Sequence, residues 1–234
     1  MAKQKTALVT GANKGIGLEI ARELAERGFH VFLSARKRDA GLKAAAMVQK
    51  QGAKADFVEL DVSDPASVKR AAKEVAAAAD HLDVLVNNAG MHEDGDGDVL
   101  TTDPKLVRET IETNALGPLR VTQAFWPLLA KSDAGRIINV SSGVGALHDM
   151  ESYAPAYSIS KTALNAVTRQ SAAALKSKGV AVNSVTPGWV RTDMGGTGAP
   201  RSVQEGADSV VWLATEAPKD LTGQFVQDRR VIPW

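Results

Sequence analysis

Cysteine is absent, aromatics are scarce, and neither sign of charge dominates. Each absence removes a class of function. With no cysteine in 234 residues, a disulfide framework, a thiolate zinc site and a cysteine nucleophile are all excluded. Lys and Arg total 28 against 27 Asp and Glu, a net charge of +1, so no basic field draws in nucleic acid and no acidic tail is present. No run approaches the roughly 18 apolar residues of a membrane span. The start, Met1 to Thr6, lacks the apolar stretch of a signal peptide. The four histidines (His30, His81, His92, His148) have no metal-ligand spacing, so no metal is expected. Asp94, Asp96 and Asp98 alternate as in a calcium loop, but Val99 stands where that loop needs glycine and Lys105 where it needs glutamate. Asn139-Val140-Ser141 matches a glycosylation acceptor, but falls at the end of a predicted buried strand. The expectation is a cytoplasmic protein that binds a small molecule, with neither nucleic acid nor membrane as partner.

A hydrophobic fraction of 44% with 24% charged residues is ordinary for a globular chain and argues against disorder. Seven short apolar runs stand out: Ala7-Leu8-Val9, Val31-Phe32-Leu33, Phe57 to Leu60, Val84-Leu85-Val86, Ile137 to Val140, Val180-Ala181-Val182 and Phe225-Val226. Nearly unbroken apolar runs suit strands buried on both faces of a parallel sheet. Helical stretches lie between them. Leu18 to Arg27 is closed by Gly28. Asp64-Pro65 and Asp103-Pro104 each read as an N-cap followed by proline at N1. The second of these opens a segment reaching Ala130, which Pro127 should kink or end. Another helix runs from Tyr157 to Lys178. This alternation predicts a doubly wound Rossmann-type α/β fold, with a seven-stranded, mostly parallel sheet between two helical layers in one domain over residues 1–234. Residues 93–98 and 195–200 read as loops over a site, the second as a mobile lid.

The first strand runs into Thr10-Gly11-Ala12-Asn13-Lys14-Gly15-Ile16-Gly17. Glycines at such a turn let the backbone approach a diphosphate, and the following helix offers free N–H groups and a positive dipole end. A tight turn without a ligand is the alternative. The second strand leads into Arg36-Lys37-Arg38, where an NAD site places an acidic residue for the ribose 2′-hydroxyl. Arg36 by a bidentate fork and Lys14 as a point charge suit a 2′-phosphate, which selects NADP(H); a solvated basic turn is the alternative. Tyr157 and Lys161 stand at i and i+4, on one helix face. A nearby ammonium should lower a phenol's pKa and equip it as a general acid toward a carbonyl oxygen.

Taken in order, the glycine turn, Asn87-Asn88-Ala89-Gly90, Asn114, Ser142, Tyr157-x-x-x-Lys161 and Pro187-Gly188 resemble the short-chain dehydrogenase/reductase family along nearly the whole chain. Asn13 to Leu18, Pro187 to Met194 and Gly223 to Val226 are most similar to its NADPH-dependent carbonyl reductases. The resemblance implies that Tyr157 protonates the developing alkoxide and Ser142 donates to the carbonyl oxygen. It also implies that Lys161 lowers the tyrosine's pKa and bonds the nicotinamide ribose, while Asn114 holds a relay water. Gly11, Asn13, Lys14, Gly15, Ile16, Gly17 and Arg36 are implied on the phosphate side of the cofactor. Asp61 and Val62 are implied at the adenine, Asn88, Ala89 and Gly90 at its ribose, and Pro187, Gly188, Val190 and Thr192 at the nicotinamide. Met91, Val144, His148, Tyr153 and Met194 are expected around the substrate, an aldehyde or ketone. A 3-oxoacyl or hydroxysteroid reductase of the same family shares these motifs; a non-catalytic NADP-sensing protein on the same fold is the other alternative, although it would have little need of Ser142 and the Tyr157/Lys161 pair. Only fifteen positions separate Ser142 from Tyr157. The long insertion of some animal members is thus missing, which leaves open a homodimer or homotetramer.

Overall fold

A computed structural model describes residues 3–50, 52–93 and 97–234. The acidic loop expected over 93–98 therefore lies partly outside the described residues, at Asp94 to Asp96. Among the described residues eight strands form one sheet: β1 (Thr6–Val9), β2 (His30–Ala35), β3 (Ala55–Glu59), β4 (Val84–Asn87), β5 (Arg136–Val140), β6 (Ala181–Val185), β7 (Phe225–Gln227) and β8 (Arg230–Ile232). Their order is β3-β2-β1-β4-β5-β6-β7-β8. All pairs are parallel except β7 with β8.

Among the described residues seven α-helices cover the faces: α1 (Gly15–Glu26), α2 (Arg38–Gln49), α3 (Pro65–Ala78), α4 (Pro104–Ile111), α5 (Gly117–Leu129), α6 (Pro155–Leu175) and α7 (Val203–Thr215). The two-residue period of the strands sorts the core into two layers. Ala7, Val9, Val31, Leu33, Val84 and Val86 pack with Ile20 and Leu24 of α1, Val48 of α2 and Val210 of α7. Leu8, Phe32, Leu85 and Ile137 pack on the other face with Val75 of α3, Phe125 of α5 and Leu175 of α6. Phe32, Phe125, Phe225 and Leu8 are fully buried, and burial of a side chain of this kind stabilises the fold by about 1.5–3 kcal/mol.

Helix starts follow the capping residues. Asp64 accepts from the Ala66 N–H at 2.9 Å, and Asp103 from the Lys105 N–H at 2.8 Å. Ser202 and Glu205 form a reciprocal capping box on α7. Arg136, buried at the start of β5, donates to the Leu213 and Ala217 carbonyls at the end of α7, at 2.8 and 2.6 Å.

Two local features differ from the expectation. The sheet gains β8, because the chain reverses at Asp228 and Arg229, both left-handed with φ of 49° and 60°. Neither residue is the glycine or asparagine that announces such a turn, and β8 is largely exposed, so it carries no apolar run. The helical segment after Asp103 is also not uniform. A π-helical turn over Glu112–Leu116 joins α4 to α5. There the Gly117 N–H reaches back five residues to the Glu112 carbonyl. Pro118 has no N–H to give the Asn114 carbonyl four residues earlier. Pro127 lies inside α5, which runs on to Leu129, with the Ala130 N–H still donating to the Trp126 carbonyl at 2.8 Å.

Candidate active site

The strand order reverses between β1 and β4, and the carboxyl end of the sheet beside such a reversal is where folds of this kind bind ligands. Gly11 (φ 63°) lies so close to the loop after β4 that a β-carbon there would stand 2.9 Å from Ala89 Cα. A β-carbon on Gly17 would meet Asn88 Nδ2 at 2.4 Å and the Gly11 carbonyl at 2.6 Å. Asn88 Nδ2 donates to the Thr10 and Gly11 carbonyls at 2.9 and 3.2 Å, while the Asn88 and Ala89 N–H groups both donate to Thr10 Oγ1 at 3.0 Å. Asn88 and Thr10 thus clamp the glycine turn from behind. No side chain caps α1 and no acidic residue occupies its first turn, so this N-terminus can take phosphate oxygens. The donor set therefore fits the diphosphate of a dinucleotide.

The basic residues divide. Arg36 is exposed at the end of β2, and Arg36, Lys37 and Arg38 make no ion pair among the described residues. Lys14 instead pairs with Asp193, on the loop after β6. That pair holds the Asp193 carboxyl below its ordinary range. Thr192, next to it, approaches the glycine turn, since a β-carbon on Gly15 would stand 3.4 Å from Thr192 Cγ2. Asp61 Oδ1 accepts from Ser63 N–H and Oγ at 2.9 and 2.6 Å. Two residues expected to line the cofactor have buried side chains: Val62 packs on Gly117, and Val190 on Gly206.

Beyond the strand ends, β5 and α6 bring the reacting groups together. Ser142 follows β5, and its side chain hydrogen-bonds the Tyr157 hydroxyl. Lys161, one turn along α6, lies buried beneath the tyrosine with Nζ 5.5 Å from the centroid of its ring. Nζ donates to the Val140 carbonyl at 2.8 Å. Burial lowers the lysine's pKa to about 8. Burial also raises that of Tyr157 to about 12, against the hydrogen bond from Ser142, which pulls it down. Desolvation of the phenol, and not the neighbouring ammonium, sets the direction of this shift. The phenol stays protonated at neutral pH, the form a proton donor requires.

Asn114, fully buried in the π turn, is bonded on both sides of its amide. Oδ1 accepts the Met91 N–H at 2.8 Å, while Nδ2 donates to the Met91 carbonyl at 2.8 Å and to Ser160 Oγ at 3.0 Å. Ser160 Oγ in turn donates to the Tyr157 carbonyl at 2.7 Å. The side chain expected to hold a water thus ties the loop after β4 to α6. Pro118 leaves the Asn114 carbonyl without an α-helical donor. Asn114 Oδ1 and Lys161 Nζ both face Gly90, 3.2 and 3.6 Å from where its β-carbon would be.

Around this centre, Tyr153 is largely exposed, as are Met194 and His148, and Val144 is half-buried. His148 pairs with Asp149 at 2.8 Å, and its N–H donates to the Trp234 carbonyl at 3.2 Å. The histidine that does meet the reacting groups is His92, whose ring lies 4.8 Å from that of Tyr157 and 6.3 Å from that of Tyr153. No metal spacing or helix register marks it in the sequence. Its place follows from Asn114 gripping the residue before it.

The sheet order and the cluster at its carboxyl end define a doubly wound fold of the dinucleotide-binding type. Residues 5–201 match the family described as short chain dehydrogenase. The (+)-neomenthol dehydrogenase of Arabidopsis thaliana is 35% identical, with 89% of this chain and 90% of that protein covered. Carbonyl reductase [NADPH] 1 of Mus musculus is 32% identical over 100% of this chain and 99% of its own length. The crystal structure of NADPH-bound carbonyl reductase from chicken fatty liver superposes with a TM-score of 0.90 at 30% identity, covering 100% of this chain and 96% of that one. The chain belongs to the short-chain dehydrogenase family.

Proposed function

We propose that this chain is a cytoplasmic, NADPH-dependent carbonyl reductase that converts an aldehyde or ketone to the alcohol within one domain. The observation that carries this reading is the Ser142–Tyr157 hydrogen bond with Lys161 buried beneath it. The NADPH-dependent relatives support the choice of cofactor. When bound, NADPH supplies the hydride that reduces the carbonyl carbon.

The chain's own residues do the rest. The glycine turn and the start of α1 hold the diphosphate, and Arg36, with Lys14 once it is released from Asp193, holds the 2′-phosphate. Thr192 and the Pro187–Gly188 turn hold the nicotinamide end. Ser142 orients the substrate by donating to its carbonyl oxygen, and Tyr157 gives that oxygen its proton. Negative charge develops on the phenol oxygen as the proton leaves, and the ammonium of Lys161 stabilises it. Reprotonation of Tyr157 runs past Lys161 toward the Asn114 carbonyl.

The test is loss of NADPH absorbance against a panel of aldehydes and ketones, run in parallel with NADH. Turnover with NADPH at least about tenfold above NADH supports the reading, in line with one good phosphate contact. NADPH binding without turnover of any carbonyl would make the chain a sensor of the cofactor instead.

A further inference from the structure

Arg201 lies just before α7, outside every motif identified in the sequence, yet it packs against the Pro187–Gly188 turn. A β-carbon on Gly188 (φ 75°) would stand 2.8 Å from Arg201 Nε and 3.0 Å from its Cδ and Cζ, so the guanidinium fills the space that a glycine leaves. Nη1 donates to the Pro187 carbonyl at 3.3 Å. Nη1 and Nη2 also grip both carboxylate oxygens of Asp228, at 2.7 and 2.9 Å. Asp228 occupies the left-handed turn between β7 and β8, so the clamp is anchored to the sheet. The backbone of Arg201 is tied to the same loop. Its carbonyl accepts the Arg191 N–H at 2.9 Å, and its N–H donates to the Trp189 carbonyl at 3.2 Å.

An exposed Arg–Asp pair adds little to stability, but a bidentate fork fixes direction as well as distance. Here one plane is fixed by Asp228, by a carbonyl of the turn and by the bare face of Gly188. The turn's backbone is thereby left few positions before any ligand arrives, which lowers the ordering cost of binding.

We propose that Arg201, backed by Asp228, is a positioning residue for the nicotinamide half of the cofactor, holding the Pro187–Gly188 turn from behind. This rests on the NADP(H) reading above. It concerns binding, so loss of carbonyl turnover and loss of this role are separable.

The experiment is calorimetric titration of the parent, Arg201→Gln and Asp228→Asn with three probes: NADPH, 2′,5′-ADP for the adenosine half, and reduced nicotinamide mononucleotide for the other half. The expected result for Arg201→Gln is about tenfold weaker binding of NADPH and of the mononucleotide, with 2′,5′-ADP within about twofold of the parent. Asp228→Asn, which keeps the arginine and alters only an exposed turn, should show the same pattern in weaker form and decides the matter if Arg201→Gln does not fold. Equal losses for both halves would mean that Arg201 merely maintains the fold, and unchanged binding of all three would mean that the turn needs no support; either overturns the proposal. A parent that fails to bind NADPH at all would overturn the cofactor reading first.

Discussion

Gly145 packs its bare Cα against Lys161: a β-carbon there would lie 2.7 Å from Lys161 Cβ and 2.8 Å from its carbonyl carbon. The Gly145 carbonyl accepts from Thr162 Oγ1 at 3.0 Å and from Asn165 Nδ2 at 3.1 Å. The turn that carries Ser142 is thus pressed onto the helix that carries Tyr157. Gly145→Ala must move backbone, and overpacking of this kind costs about 1–3 kcal/mol. Thermal unfolding should show that loss. kcat for carbonyl reduction should fall about tenfold or more as the Ser142–Tyr157 hydrogen bond is misplaced, with the KM for NADPH changed far less.

Lys161 should set the alkaline limb of the reaction. Its pKa is lowered to about 8, whereas that of Tyr157 is raised to about 12. On raising the pH of the free enzyme, the lysine loses its proton long before the tyrosine. kcat/KM for reduction should therefore decline above about pH 8 in the parent. Lys161→Arg, which keeps its proton, should move the limb upward in whatever activity remains. A limb that stays in place would assign it to another group.

The same burial links stability to pH. Below about pH 8 both folded and unfolded lysines are charged, and the fold carries the full desolvation cost. From there toward pH 10 the unfolded chain binds more protons, so stability rises, by about 2 kcal/mol. Above about pH 10 Tyr157 acts in the opposite sense, because its folded pKa is the higher one. Denaturant titrations of ligand-free parent and Lys161→Met should show the rise in the parent only.

His92 should govern substrate binding. With its ring packed 4.8 Å from that of Tyr157, truncation removes a neighbour of the phenol while leaving the phenol and its Ser142 partner in the chain. His92→Ala is expected to raise the substrate KM about tenfold with a smaller change in kcat, and His92→Phe to restore most of it. Loss of kcat alone in His92→Ala would make the ring a support for Tyr157 and not a wall of the cleft.

Asp193 should compete with the 2′-phosphate for Lys14. Asp193→Asn is expected to tighten NADPH about twofold and leave NADH unchanged, whereas Arg36→Ala should weaken NADPH about tenfold. Fluorescence titration of both cofactors measures this directly.

The sheet and its helices were legible because burial on both faces writes apolar runs into β1, β2, β4, β5 and β6, and because Asp-Pro pairs mark α3 and α4. The glycine turn was legible for the same kind of reason, since only glycine permits the approaches at Gly11 and Gly17. Other features depend on partners distant in sequence. Arg201 meets Asp228 and Gly188, His92 meets Tyr157, and Lys14 meets Asp193, and no periodicity encodes such pairs. The raised pKa of Tyr157 was hidden likewise, because spacing shows that a lysine is near but not how deeply the phenol is buried.

Tyr157 as proton donor is tested most directly by single-turnover oxidation of bound NADPH by a saturating aldehyde, in the parent and in Tyr157→Phe. The variant keeps the ring that packs against His92 and Lys161, so NADPH should bind within about twofold of the parent while the rate of the chemical step falls by at least about a hundredfold. Equal rates in the two proteins would contradict the mechanism.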